Sequence, residues 1–382
     1  MKNKILRIKE IILSLKGLTT LGVTDLLANA ISAIFWFYMA SLLGAKSYGE
    51  VSYVLAIAGI SSTVSLIGSQ NTLTVYTAKN EKIQSSIYFL TLSTGTFASI
   101  LLFIIFSNSG MSLLNWGYVV LGLASSELLG RKLYKSYSKF MIIQRIIMVV
   151  LAIGLYYSIG PSGVIIGIGI SFFIYLVILY NGFRDSPINF RLLKTHSKFM
   201  MNSYVLNLAS SVGTSVDRLL IAPIFGYTIL GNYQLGLQFL SILQIFPNII
   251  YKYTLSHDAS GIPNLRLKKI TVIISTAIAL LLSILAPFIV PIFFSKYDNA
   301  VTVIQIISLA NIPSSITFVY QSGFLGTEKS KVVVFGQIIY LVSQVVGILL
   351  LGQMFGINGV AFALFVALSI ECLFYFIINK YV

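Results

Sequence analysis

A chain of 382 residues that is 57% hydrophobic, only 10% charged and +0.90 in mean hydropathy cannot hide its apolar surface in a water-soluble fold. Soluble domains carry about a quarter charged residues. The net charge of +15 raises nucleic acid as a partner, but no folded basic domain is present to carry it, and nucleic-acid binding is not expected. Hydrocarbon offers the backbone no water, so only helices or closed barrels can span it. Unbroken apolar runs from Ile270 to Ile284 and from Val332 to Leu351 exclude the alternating barrel pattern.

In chain order, residues 1–17 place Ile5, Ile8, Ile12 and Leu15 on one helical face, with Lys2, Lys4, Arg7, Lys9 and Lys16 elsewhere. That pattern predicts a basic helix lying on the membrane surface, with no cleavable signal peptide. Six spans follow near 18–43, 51–76, 84–106, 111–130, 138–159 and 162–181. Six more fall near 199–224, 231–254, 270–294, 299–325, 331–353 and 357–379. The connections alternate between short, nearly uncharged ones and basic ones. Of the 26 Lys and Arg, all but Lys46, Lys296, Arg145 and Arg218 fall on one side. By the positive-inside rule that side is the cytoplasm, with both termini in it and the chain in the cell membrane.

An internal repeat divides the spans. Gly44-Ala-Lys-Ser-Tyr-Gly49 between spans 1 and 2 matches Gly226-Tyr-Thr-Ile-Leu-Gly231 between spans 7 and 8. Gly160-Pro-Ser-Gly-Val164 matches Gly356-Ile-Asn-Gly-Val360 in the same way. Each half holds an even number of spans, so the halves enter the membrane alike, as a parallel repeat. The expected fold is therefore an all-α membrane protein of about twelve spans in two six-helix bundles around a central cavity. Its parts are the interfacial helix (1–17), a first bundle (18–181), a linker (182–198) and a second bundle (199–382).

Polar residues inside the spans mark the candidate site. Span 7 carries Asn207, Ser211, Thr214 and Arg218, which an unbroken helix would hold in one narrow stripe. Span 1 repeats the pattern with Asp25, Asn29, Ser32 and Trp36. Such stripes either glue helices together or line a water-filled space. Ionised groups in hydrocarbon cost at least about 2.5 kcal/mol, so they face a cavity or a partner. Asp25, Arg145 and Glu371 sit at similar depth, and Arg145 is expected to be the counter-ion of Asp25, of Glu371 or of both. Asp217 and Arg218 are neighbours about 100° apart around the helix, so Arg218 is assigned to the cavity and Asp217 to a neighbouring helix. Gln70, Asn71, Gln234, Gln238 and Gln321 are further lining candidates.

No enzyme chemistry is expected. His196 and His257 lack metal-spaced partners, Cys372 is the one cysteine, and no phosphate-binding loop or nucleophile motif is present. Neither metal nor cofactor is implied beyond a coupling ion, H+ or Na+, with Asp25 and Glu371 as its candidate carriers. Glu127 reads as a solvated charge.

Several segments resemble the oligosaccharide flippases of the O-antigen and exopolysaccharide type, within the multidrug/oligosaccharidyl-lipid/polysaccharide exporter superfamily. They are Ala40-Ser-Leu-Leu-Gly44 with Tyr48-Gly49-Glu-Val-Ser-Tyr53, and Val216-Asp217-Arg218-Leu-Leu-Ile221 with Gly231-Asn-Tyr233. Phe324-Leu-Gly326-Thr-Glu-Lys329 and Phe355-Gly-Ile-Asn-Gly-Val360-Ala complete the likeness over nearly the whole chain. The resemblance implies a monomeric flippase that moves a polyprenyl-phosphate-linked oligosaccharide from the inner to the outer leaflet by alternating access. It also implies membrane lipids, a glycan polymerase and glycosyltransferases as partners. The two further C-terminal helices of the lipid II flippases are not expected in this chain, which disfavours that branch. The rival expectation is a cation-coupled small-molecule exporter on the same fold, which needs unpaired acidic residues in its cavity.

Overall fold

The computed structural model describes residues 20–255, 257–261, 264–297 and 299–380. The surface helix expected over 1–17 lies outside them. Every regular element among the described residues is helical. In order they are α1 (Thr20–Leu66), α2 (Ser69–Ala78), α3 (Gln84–Phe106), α4 (Ser109–Gly130) and α5 (Tyr134–Ile159). Next come α6 (Pro161–Asp185), α7 (Phe190–Thr195), α8 (Ser197–Gly213), α9 (Val216–Phe225) and α10 (Tyr227–Leu243). Last are α11 (Ile245–Ala259), α12 (Leu265–Phe293), α13 (Ala300–Gly326) and α14 (Ser330–Lys380).

Seven helices among the described residues are long and apolar enough to cross a bilayer, and the bent pair α8–α9 passes the same test as one span. α1 and α14 have 47 and 51 residues. At 1.5 Å per residue each runs about 70 Å or more, twice a bilayer, so each supplies two crossings. The breaks fall at Gly44 (φ 73) and Gly356 (φ 57), where the chain takes a backbone conformation that only glycine adopts freely. Their repeat partners, Gly226 (φ 88) and Gly160 (φ 74), break the chain between α9 and α10 and between α5 and α6. The glycines that match in sequence thus match in conformation. α4 and the α10–α11 pair complete twelve crossings in a multi-pass membrane protein. α4 needs little apolar character because other helices enclose it, with Leu114, Asn115, Val120 and Leu123 all fully buried.

The chain packs as two compact units, and these do not follow the repeat. Among the described residues, unit 1 comprises 20–35 and 54–215; unit 2 comprises 36–53 and the residues from 216 to 380. The linker and α8 therefore pack with first-half helices, and the segment around Gly44 packs with second-half helices. In unit 1, α4 is the middle helix, against α2, α3 and α6, with α5 laid on α6. In unit 2, α13 takes that place, against α10, α11, α12 and α14.

Within unit 2 the segment 36–53 crosses α10 with almost no separation. A Cβ on Gly49 would lie 1.9 Å from the Tyr227 carbonyl oxygen, and one on Gly231 would lie 1.8 Å from that of Ala45. The contact is reciprocal, as expected when repeat-related glycines meet. Beside it Lys296 Nζ donates to the Leu42 carbonyl (2.7 Å) and Tyr297 Oη to that of Ala40 (3.0 Å). Both satisfy carbonyls left open at the end of a helix.

Candidate functional site

A cavity inside unit 1 has a volume of about 580 Å³, within the usual range for small-ligand sites. One wall is Ser62, Thr63, Gln70, Asn71 and Thr74, from the end of α1 and from α2. The opposite wall is Tyr137, Gln144 and Arg145 of α5, with Tyr118 of α4 and Tyr175 of α6. Gln144 Nε2 donates to Ser171 Oγ (2.8 Å), which fixes α5 against α6 and sets the position of the next residue, Arg145.

Arg145 is half-buried, and among the described residues its one hydrogen bond is a long contact of 3.8 Å to the Met148 sulfur, with no partner at Nε. The hydroxyls of Tyr175, Tyr118 and Tyr137 are near enough to interact with its charge. The expected counter-ion Asp25 does not engage it: Asp25 is exposed and makes no ion pair with Arg145, although Tyr137 feels the charges of both. Equal depth along a span does not set direction around it, which is why that pair does not form. Glu371 belongs to unit 2, where Gln321 Nε2 donates to it (3.3 Å).

The polar stripe of span 7 also changes character. Helix α8 ends at Gly213 and α9 begins at Val216, so Arg218 stands on a different helix from Asn207 and Ser211. Asn207 Nδ2 donates to Gln70 Oε1 (3.4 Å), Asn71 Nδ2 to Asn207 Oδ1 (3.5 Å), and Thr63 Oγ1 to Ser211 Oγ (3.1 Å). These bonds tie α8 to the polar wall of the cavity. Interhelical hydrogen bonds of this kind average about 0.6 kcal/mol. Thr214 bonds back to the carbonyls of Ser210 and Ser211, and Ser32 to that of Ala28. Asn29 is exposed, like Asp25.

Unit 2 gathers the remaining candidates into two buried networks. Asp217, 7% exposed, accepts from Tyr233 Oη (3.2 Å) and from the Arg218 backbone N–H (2.8 Å), and Gln344 Nε2 donates to Tyr233 (3.3 Å). Asp217 thus meets a neighbouring helix, α10, as expected. Glu371, 4% exposed, is held by Gln321, which also reaches Tyr375 (3.4 Å). The register that sets Gly160 on Gly356 also sets Tyr175 on Glu371 and Gln144 on Tyr340. At that place in the repeat, unit 1 carries Arg145 with a tyrosine and unit 2 carries a carboxylate with a tyrosine.

Glu127 is not the solvated charge expected; it is 3% exposed. Arg131 Nη2 pairs with it (2.6 Å), Arg131 Nη1 pairs with Asp185 (2.7 Å), and the Tyr88 hydroxyl donates to it. Partial burial opposes the Arg131 charge, but the Asp185 and Glu127 carboxylates outweigh it and hold its pKa above the ordinary arginine value. In unit 2, Lys268 Nζ pairs with Asp258 Oδ2 (2.6 Å), to which Ser322 Oγ also donates (2.8 Å). Composition gave no hint of the three tyrosines around Arg145, because tyrosine is common throughout a membrane protein.

Solved structures share this architecture. The chain is similar to the lipid II flippase MurJ in an inward closed conformation, with TM-score 0.73 and 14% identity over 94% of this chain and 87% of that one. It is similar to a multidrug resistance MATE family transporter in its inward-facing conformation, with TM-score 0.70 and 12% identity over 96% and 97%. A MOP superfamily transporter from Pyrococcus furiosus, described as having a binding pocket of reverse polarity, gives 0.57 and 12% over 96% and 93%. No family model and no curated sequence relative matches. At these identities the likeness is one of fold: the chain has the twelve-helix fold of MOP-superfamily transporters.

Proposed function

We propose that the protein is a flippase that moves a polyprenyl-phosphate-linked oligosaccharide from the inner to the outer leaflet of the cell membrane by alternating access. The observation that carries this reading is Arg145, a guanidinium on the wall of a polar, tyrosine-rich cavity with no carboxylate paired to it among the described residues. A fixed cation without a counter-ion suits a phosphate, which accepts charge-assisted hydrogen bonds from guanidinium. Amides and hydroxyls on the facing wall suit sugar. The polyprenyl tail stays in lipid. On this reading both termini are cytoplasmic, the chain works as a monomer, and a glycan polymerase and glycosyltransferases are its functional partners.

Removing the protein is expected to accumulate lipid-linked oligosaccharide on the cytoplasmic face. Arg145→Ala should reproduce that loss, and Arg145→Lys should restore part of it. Full export by Arg145→Ala at normal protein level would sink the reading. One observation favours a cation-coupled exporter instead: Glu371 is buried with no cation paired to it among the described residues. Export of small organic cations that survives Arg145→Ala and is lost in Glu371→Gln would establish that reading. Transport that continues with ion gradients collapsed would remove H+ and Na+ as coupling ions.

A further inference from the structure

The cavity wall and the attachment of α8 use the same side chains. Thr63, Gln70 and Asn71 line the cavity, and they also hold α8 through Ser211 and Asn207. Between Thr63 and Gln70 the chain is interrupted by two left-handed residues, Ile67 (φ 48) and Gly68 (φ 71). A β-branched residue at positive φ is strained, and such strain persists only where its surroundings enforce it. Here α8 enforces it: Gly68 lies so close that a Cβ would come 2.1 Å from the Met200 carbonyl oxygen.

Resting on the flippase reading above, we propose that this cavity is a ligand-operated latch. Arg145 holds the phosphate of a sugar-phosphate headgroup, and the sugar hydroxyls take over the hydrogen bonds that tie α8 to α1 and α2. The exchange explains why the latch stays shut when empty. An amide parted from its partner in a low-dielectric interior is left unsatisfied, and that is costly. A sugar hydroxyl is both donor and acceptor, so it replaces either side of each bond and lets α8 leave without orphaning Gln70 or Asn71. The bonds to be exchanged are long, 3.1 to 3.5 Å, and the strained Ile67–Gly68 link relaxes once Met200 withdraws. A phosphate alone fills only the α5 end of the cavity and leaves the latch closed.

The test uses the full-length protein in lipid nanodiscs, with Cys372→Ser and spin labels at Lys79→Cys and Lys198→Cys. Both sites are exposed, one just past the end of α2 and the other on α8. Distance distributions are recorded with polyprenyl diphosphate, with polyprenyl diphosphate-linked N-acetylglucosamine disaccharide, and with UDP-N-acetylglucosamine; binding of each is measured in parallel. The disaccharide conjugate is expected to shift the labels apart, whereas polyprenyl diphosphate binds without a shift. Thr63→Val with Asn207→Leu is expected to show the longer distance with no ligand. Conjugate that binds through Arg145 and leaves the distances unchanged overturns the latch and spares the flippase. A short distance retained by the double variant overturns it too. A shift produced by UDP-N-acetylglucosamine, with none from the conjugate, upholds the latch and overturns the lipid-linked substrate. Failure of all three to bind overturns both.

Discussion

The segments that change partners, α8 in unit 1 and residues 36–53 in unit 2, are attached in opposite ways. α8 meets one glycine, Gly68, and the Glu81–His196 pair (2.8 Å) at its start, and is otherwise held along its length by long side-chain hydrogen bonds from a polar wall. The segment 36–53 is held by backbone against backbone at Gly49 and Gly231, with lysine and tyrosine closing the helix end. Side-chain bonds can be exchanged for others one at a time, whereas a glycine crossing admits nothing between its two chains. The contrast separates a contact suited to recognition from one suited to closure.

Substitutions can break this contrast or sharpen it. Firmness in unit 2 extends to its buried ion pair. Asp258→Ala is expected to cost about 3–5 kcal/mol, because it leaves Lys268 charged and unpaired inside the protein. A fall in melting temperature of only a degree or two in detergent would refute that. Gly231→Leu should cost about 3 kcal/mol, since the obstructing atoms are backbone and cannot step aside. Gly49→Leu should then add little in the double variant, because both disturb one contact. Arg145→Leu is expected to act with the opposite sign, raising thermal stability by about 1–2 kcal/mol while export fails, because it relieves a desolvated cation of no structural use. Destabilisation would mean that Arg145 holds the fold after all. In the α8 attachment, Thr63→Val with Asn207→Leu should cost about 1 kcal/mol, less than the single glycine change. Equal costs for the two would erase the contrast.

The crossings, their parity and the breaks at Gly44, Gly160, Gly226 and Gly356 are legible in the sequence, because apolar length and glycine conformation are local properties. The bend between Gly213 and Val216 is not, since Thr214 and Ser215 are no stronger helix breakers than many residues that continue a helix. Asn207, Ser211 and Gln70 are found together as the polar pattern suggests, whereas the Arg145–Asp25 ion pair does not form, because depth along a span does not fix azimuth. Glu127 was misread for a related reason. A carboxylate near a basic loop looks solvated until Arg131 and Tyr88, from different stretches of chain, are folded over it. The exchange of segments between units is a property of packing and leaves no trace in composition.

The register that sets Tyr175 on Glu371 has a consequence for descent. A protein made by doubling one six-helix ancestor inherits two copies of every position, and the turns, with their positive φ, ask for glycine in both. They place no such demand on the side chains facing inward. One copy is then free to acquire a cation and the other to acquire an acid, something that two identical subunits encoded by a single gene could never do. The polarity of each half is thus a record of divergence after fusion. Comparing only the inward-facing positions of the two halves, across relatives, should date that divergence more finely than the scaffold can.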